Sequence, residues 1–330
     1  MGCQVHFACA AQKNEHCVDL HDRGVEEHVI LLNDSSFDNW VKTLRPDIVI
    51  FDRYTTEEQF GWRVEKAVPS ALRVLDTSDL HCLREARRKQ LNTGETLDLF
   101  NDTALREIAS IYRSDLTLII STVEMRILED HFSLTPPLVT QWPFMVDPQN
   151  IFEGPRFSDR KHCVLIGSFM HPPNVDAVRW SIEEIWPRVR HQMPDAEFHT
   201  YGSYSERFQA PKGLENKGVF IKGCADDVLE TLAQYRVNLA PLRYGAGLKG
   251  KVLHGFQANT PVVGTPIVFE GIAEPSECAG CAELDAQKIA DQVVRLLQHE
   301  QAFTDLHQVG LAILKLSDLR KDCFCSDCIW

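Results

Sequence analysis

Two patterns of apolar and polar positions alternate along the chain, and their order predicts the fold. Short apolar runs alternate with longer polar stretches in which apolar residues recur every three or four positions. The predicted strands are Val5–Ala10, His28–Leu32, Asp47–Phe51, Leu72–Leu75, Leu116–Ile120, Val164–Gly167, Glu197–Tyr201, Val219–Ile221, Val237–Leu242 and Pro261–Gly264. Strands separated by helices are typical of parallel βαβ units. The pattern therefore predicts a Rossmann-like, doubly wound α/β sheet in each half of the chain.

Two helical stretches carry a clear apolar stripe, which we interpret as core rather than as a binding surface. The stripe residues are Val175, Val178, Ile182, Ile185 and Val189 in the first, and Ile289, Val293, Leu296 and Leu297 in the second. Asn174 is predicted to cap the first helix, because Pro172 and Pro173 should stop it from extending backwards.

A segment with three prolines and no clear period, Trp142–Pro155, separates the two halves. Such a segment is typical of a linker. It predicts a first domain of residues 1–147 and a second of residues 148–330. Ligands of parallel α/β sheets bind beyond the carboxyl ends of the strands, which favours a site between the domains.

The segment Pro241–Phe256 runs from a predicted strand through a glycine-rich turn into a helix. Its glycines, Gly245, Gly247 and Gly250, allow positive φ and close backbone approach. The helix start offers free N–H groups to an anion, and Lys249 and Lys251 supply positive charge. The pattern indicates a diphosphate site, and a plain turn with solvated lysines is the alternative.

This segment resembles the donor half of family 4 (group 1) glycosyltransferases. Their pattern there reads R-Y-G-A-G-x-K-G-K-x-L-E-A, followed by G-x-P-V-V and E-G. Val164–Val178 is similar to the opening strand, turn and helix of the same half, and Gly223–Val228 to its G-x-x-x-D segment. The resemblance implies a GT-B fold, in which two Rossmann-like domains face a cleft. It also implies sugar transfer from a nucleoside-diphosphate donor to an acceptor hydroxyl, with retention of configuration and without a bound metal or other cofactor.

The resemblance also implies roles for particular residues. The implied catalytic residues are Lys251, Lys249 and His81. The implied donor-binding residues are Gly167, Ser168, Arg243, Gly245, Gly247, Gly250, His254 and Glu270. His81 lies in Arg73–Arg84, which is similar to a D-x-x-D-x-H-x-x-R segment on the cleft side. Gly167 and Ser168 also fit simple turn chemistry, Arg243 a surface ion pair, and Glu270 a capping role.

Three departures from the family pattern keep other functions open. His254 stands where many members have glutamate, and Ala246 replaces an earlier glutamate. Gly2–Ala10 is similar to the second strand of the family's first domain, and the expected first strand does not precede it. The alternatives are an inactive homologue that serves as a binding or scaffolding protein, and a nucleotide-sugar epimerase of the same fold.

Composition and net charge limit the classes of binding partner and the cellular compartment that we expect. The net charge of −13 argues against nucleic acid, and no apolar run reaches the roughly 20 residues that span a bilayer. The expected partners are a nucleotide sugar and a carbohydrate or lipid-linked acceptor, and peripheral membrane contact stays open. The absence of a signal sequence and the eleven scattered cysteines favour a cytoplasmic protein with reduced thiols. Two CxxC pairs, Cys278 with Cys281 and Cys325 with Cys328, are weak evidence for zinc.

Overall fold

The protein is represented by a computed structural model that describes residues 2–11, 18–142, 151–274 and 285–322, with side chains up to residue 315. The predicted domain boundary at residues 147 and 148 and both CxxC pairs lie outside the described residues. Within the described part, no helix has the length and apolar character that crossing a membrane requires.

Strands and helices alternate along much of the described chain. The strands are β1 (Val5–Cys9), β2 (Val25–Val29), β3 (Ile48–Asp52), β4 (Leu72–Asp76), β5 (Leu116–Ile119), β6 (Val139–Gln141), β7 (Lys161–Ile166), β8 (Phe198–Tyr201), β9 (Val219–Ile221), β10 (Tyr235–Ala240) and β11 (Val262–Gly264). The helices are α1 (Ser36–Leu44), α2 (Arg53–Ala67), α3 (His81–Thr93), α4 (Asp102–Arg113), α5 (Thr122–Phe132), α6 (Pro172–Trp180), α7 (Trp186–Gln192), α8 (Val228–Ala233), α9 (Gly250–Gln257), α10 (Pro266–Phe269), α11 (Ala286–Gln298) and α12 (Glu300–Asp322).

The second half forms one five-stranded sheet in the order β11-β10-β7-β8-β9, and every strand pair in it is parallel. Its core includes the predicted stripes of both amphipathic helices, and Ile185, Val189, Ile289 and Leu296 are fully buried. These helices lie against the sheet because each buries its apolar stripe there. The Rossmann-like prediction is confirmed for this half.

The first half contains a four-stranded parallel sheet in the order β3-β4-β5-β6. β1 and β2 form a separate two-stranded parallel sheet. Ile48 and Ile50 of β3 are 56% and 62% exposed, so the outer edge of this sheet carries apolar surface. The predicted strand at His28–Leu32 is displaced, since the strand ends at Val29, and β6 was not predicted at all.

The helix that follows β7 begins earlier than predicted. Its first residue is Pro172, and His171 occupies the capping position. Proline is compatible with the first turn of a helix, because its missing N–H would have no partner there in any case. Asn174 is therefore a buried residue inside the first turn and not the cap. This correction matters for the site, because its side chain binds a lysine.

Candidate active site

The glycine-rich loop between β10 and α9 lies at the carboxyl end of its sheet and touches the first domain. Gly247 has φ of 68°, and a Cβ at this position would lie 2.7 Å from Cβ of Asp79 and 3.0 Å from the carbonyl oxygen of Ser78. Only glycine fits both the backbone conformation and the contact. Gly250 is the first residue of α9 and is not one of the positive-φ glycines, so the prediction of positive φ there is wrong.

Two lysines project from this loop and the following helix. Lys249 is 7% exposed, and its Nζ donates to the carbonyl oxygen of Gly247 at 2.7 Å. Lys251 is partly buried, and its Nζ donates to Oδ1 of Asn174 at 2.7 Å. Burial lowers the pKa of each lysine to about 8, and the charge of Lys249 contributes to the shift at Lys251. Within the described residues, neither ammonium group forms an ion pair with a carboxylate.

The turn after β7 supports Lys251. Gly167 packs directly on Asn174, whose Nδ2 would lie 2.6 Å from a Cβ at the glycine. Nδ2 of Asn174 donates to the carbonyl oxygen of Ser168 at 3.0 Å, which fixes the amide so that its oxygen faces Lys251. The structure thus brings Gly167, Ser168 and Lys251 together, as the resemblance implies.

Arg243 and Glu270 are both engaged in ion pairs. The guanidinium of Arg243 binds Asp176 through two contacts, with Nε to Oδ2 at 2.9 Å, and lies over the ring of Trp180. Glu270 accepts two hydrogen bonds of 2.8 Å from Arg87 of the first domain. The alternative of an ion pair fits Arg243, and Glu270 links the domains instead of capping a segment.

His81 lies on the opposite wall, at the start of α3. Its Nε2 is 3.2 Å from Oδ1 of Asp79, and its ring packs edge-on against Tyr54. Arg84 donates to the other oxygen of Asp79 at 2.6 Å. Burial would raise the pKa of Asp79, but the hydrogen bond from His81 and the charge of Arg84 outweigh it and lower the pKa.

His171, which the sequence prediction did not single out, faces this wall from the second domain. Its Nε2 is 3.4 Å from Nη1 of Arg84. Burial, together with the Arg84 charge, lowers the pKa of His171 to about 4, so its imidazole is neutral at physiological pH. A neutral imidazole between Arg84 and Lys251 can hydrogen-bond a ligand without adding charge.

His254 lies one turn after Lys251 on α9 and is partly buried. Burial lowers the pKa of His254, and the negative charge of Asp227 partly opposes the shift. The side chain is therefore a neutral hydrogen-bonding group on α9, the helix that carries Lys251. Its predicted role in donor binding stays a prediction.

Glu124, at the start of α5, is a second residue that the sequence prediction missed. Its Oε1 accepts from the backbone N–H of Leu80 at 3.0 Å and from that of Gly247 at 2.7 Å. The residue is 1% exposed, and its Oε2 has no hydrogen-bond partner. Burial raises the pKa of Glu124 to about 7. One carboxyl group thus joins the His81 loop to the glycine-rich loop.

Comparisons with known proteins agree with this geometry. Residues 160–299 match the family described as glycosyl transferases, group 1. WaaG, a glycosyltransferase involved in lipopolysaccharide biosynthesis, has a similar structure at 14% identity, with a TM-score of 0.66 over 98% of this chain and 92% of its own. The chain has the GT-B fold. No curated protein sequence gives a significant match.

Other GT-B structures are similar over smaller shares of their own length. TarM of S. aureus, in a complex that contains UDP, is 14% identical with a TM-score of 0.63, over 86% of this chain and 57% of TarM. The pneumococcal O-GlcNAc transferase GtfA, in complex with UDP and GlcNAc, is 16% identical with a TM-score of 0.61, over 88% of this chain and 60% of GtfA. This chain therefore spans less than two thirds of these GT-B proteins.

Proposed function

We propose that the protein is a glycosyltransferase that moves a sugar from a nucleoside-diphosphate donor to a hydroxyl of a carbohydrate or lipid-linked acceptor. The observation that carries the proposal is the lysine pair. Lys249 and Lys251 sit beside a glycine-rich loop at the carboxyl end of a parallel sheet, and neither forms an ion pair with a carboxylate among the described residues. Two such cations in a cleft favour a ligand that carries negative charge.

A departing diphosphate fits this requirement. As the bond between the sugar C1 and the phosphate oxygen breaks, the electron pair moves to the phosphate, and the two ammonium groups stabilise the added charge. The acceptor oxygen bonds to C1, and its proton leaves with the diphosphate. We assign this reaction a course without a metal ion, because the lysines can supply the positive charge that a metal would otherwise provide. We assign it retention of configuration because the sequence resembles a family whose members retain it.

The two domains divide the task. The second domain holds the donor through the turn at Gly167 and Ser168, the lysines and the start of α9. The first domain presents His81 and Asp79 across the cleft, where they can contact the transferred sugar or the acceptor. His81 is well placed for this role because Asp79 fixes its ring.

Calorimetric titration with UDP, GDP and ADP, each with EDTA and with Mg²⁺, tests the proposal. We expect micromolar binding of one nucleotide, about −8 kcal/mol, that persists in EDTA. UDP is the first choice because two of the similar structures contain it. A charge-assisted hydrogen bond contributes about 1.5 to 3 kcal/mol, so Lys251→Met should weaken binding roughly 10- to 100-fold.

Lys212→Met is the matched control, because Lys212 is an exposed lysine of the same domain. It should leave the affinity unchanged. A second readout is the release of UDP from UDP-sugars, which Lys251→Met should abolish. If the folded protein binds none of the three nucleotides, the proposal is wrong.

A further inference from the structure

A cluster of three metal-binding side chains lies on the small sheet, on elements that contribute none of the proposed site residues. His6 is on β1, while Glu26 and His28 are on β2. The strands are parallel, and their register pairs His6 with Glu26 and Ala8 with His28. Because side chains of a strand alternate between faces, Glu26 and His28 share one face, and the pairing places His6 on the same face.

The ligand atoms are spaced like three corners of a small coordination sphere. Nδ1 of His6 is 3.0 Å from Nε2 of His28 and 3.3 Å from Oε2 of Glu26, and the last two atoms are 3.9 Å apart. Adjacent ligands of a tetrahedral zinc ion, with bonds of about 2.0 to 2.2 Å, are roughly 3.4 Å apart. The observed spacings bracket this value.

Neighbouring residues hold two of the three ligands in place. Gln4 donates through Nε2 to Oε1 of Glu26 at 3.0 Å, which leaves Oε2 directed at the histidines. The ring of Trp40, on α1, packs against His28 with ring centroids 4.9 Å apart. Outer contacts of this kind orient metal ligands and are themselves important for affinity.

The geometry points to a Zn²⁺ site formed by His6, Glu26 and His28, with water in the fourth position. Two imidazoles and a carboxylate are a normal ligand set for zinc, and the partial exposure of Glu26 leaves room for the water. In the absence of metal, His6 and His28 form a direct hydrogen bond. When zinc binds, the ring that donates this hydrogen bond carries its proton on its other nitrogen, so that both facing nitrogens offer lone pairs to the metal.

The role of this site is to join the two strands of a small sheet. Two-stranded sheets are marginally stable in water by themselves, and β1 pairs only with β2 among the described strands. A zinc ion bound to side chains of both strands ties them together. Through the contact between His28 and Trp40, it also ties the sheet to α1. The site lies on strands that contribute none of the residues proposed for sugar transfer.

Spectroscopic titration with Co²⁺ and calorimetric titration with Zn²⁺, both on the EDTA-treated full chain, test the inference. We expect tetrahedral Co²⁺ absorption in the visible range that His6→Gln and His28→Gln remove, together with one equivalent of Zn²⁺ binding. Zinc should raise the melting temperature of the wild type more than that of either variant. Gln4→Ala should keep the site but weaken zinc binding about tenfold.

The controls separate this site from others in the chain. His191→Gln replaces an exposed histidine of the second domain and should behave like the wild type. Cysteine ligands would add a sulfur-to-cobalt charge-transfer band, and that band should not respond to the histidine variants. Glu26→Gln changes an exposed residue and should weaken zinc binding without unfolding the chain. Equal zinc stoichiometry in the wild type and both histidine variants would overturn the inference.

Discussion

Glu124 gives the sharpest test of how the two domains are joined. Its Oε1 accepts from both Leu80 and Gly247, whereas its Oε2 is buried without a partner. The substitution Glu124→Gln keeps an oxygen that can accept both hydrogen bonds and removes the ability to ionise. Any difference between the two proteins therefore reports mainly on the buried charge.

The magnitude follows from the pKa of Glu124, which burial raises from 4.5 to about 7. Between these values the folded state binds a proton that the unfolded state releases. The contribution of Glu124 to stability is therefore fully present below pH 4.5 and is lost as the pH rises through 7. The difference between 4.5 and about 7 corresponds to at most about 3 kcal/mol, and relaxation around the charge should reduce it to about 1 to 2 kcal/mol.

Urea unfolding at intervals from pH 5 to pH 8 measures the effect. We expect the free energy of unfolding of Glu124→Gln to exceed that of the wild type least at pH 5 and most at pH 8. Glu129→Gln, at an exposed position of the same helix, should follow the wild type throughout. The reasoning is wrong if the difference between Glu124→Gln and the wild type does not change with pH.

Two further predictions concern the glycine-rich loop. Gly247→Ala should lower the free energy of unfolding by about 1 to 3 kcal/mol and weaken UDP binding, because its Cβ would overlap Asp79. The control Gly213→Ala, at a similar φ with open space around it, should lower the free energy of unfolding less and leave UDP binding unchanged. Equal effects of the two variants would contradict a role for the contact with Asp79. UDP affinity should fall as the pH rises from 7 to 9, because Lys249 and Lys251 lose protons near pH 8. Calorimetry in two buffers should show proton uptake on UDP binding at pH 8.5. A UDP affinity that does not change with pH would exclude the lysines as the anion site.

The pattern of apolar positions predicted most of the second domain correctly. Val219–Ile221 is exact, and the other four strands differ by one to three residues at an end. β10 and β11 bury nearly all of their residues, and short apolar runs such as Val164–Ile166 and Val262–Val263 made the strands of this sheet easy to recognise. In the first domain, the apolar run at the end of β2 was misleading, because Val29 is 80% exposed and the pairing begins at Val25. β6 has three residues, too few to show a period.

Local sequence indicated the residues of the candidate site that lie in the glycine-rich loop, but not the residues that reach this loop from distant parts of the chain. The loop and its lysines follow directly from a glycine-rich segment after a strand. Glu124 and Arg87 act on that loop from more than 120 residues away, and no local pattern identifies them. His171 lies within Val164–Val178, a segment that the resemblance had indicated, but no local pattern distinguishes it there.

The links from the first domain explain why the lysines remain available for a ligand. Arg87 donates to the carbonyl oxygen of Gly245 and binds Glu270, the acidic residue that contributes most to the electrostatic environment of Lys249. Arg84 similarly binds Asp79 on the opposite wall. Each arginine thus holds a carboxylate that could otherwise pair with a lysine. Because Arg87 and Arg84 bind Glu270 and Asp79, these two carboxylates leave the positive charge at the loop available, and the candidate site depends on both domains.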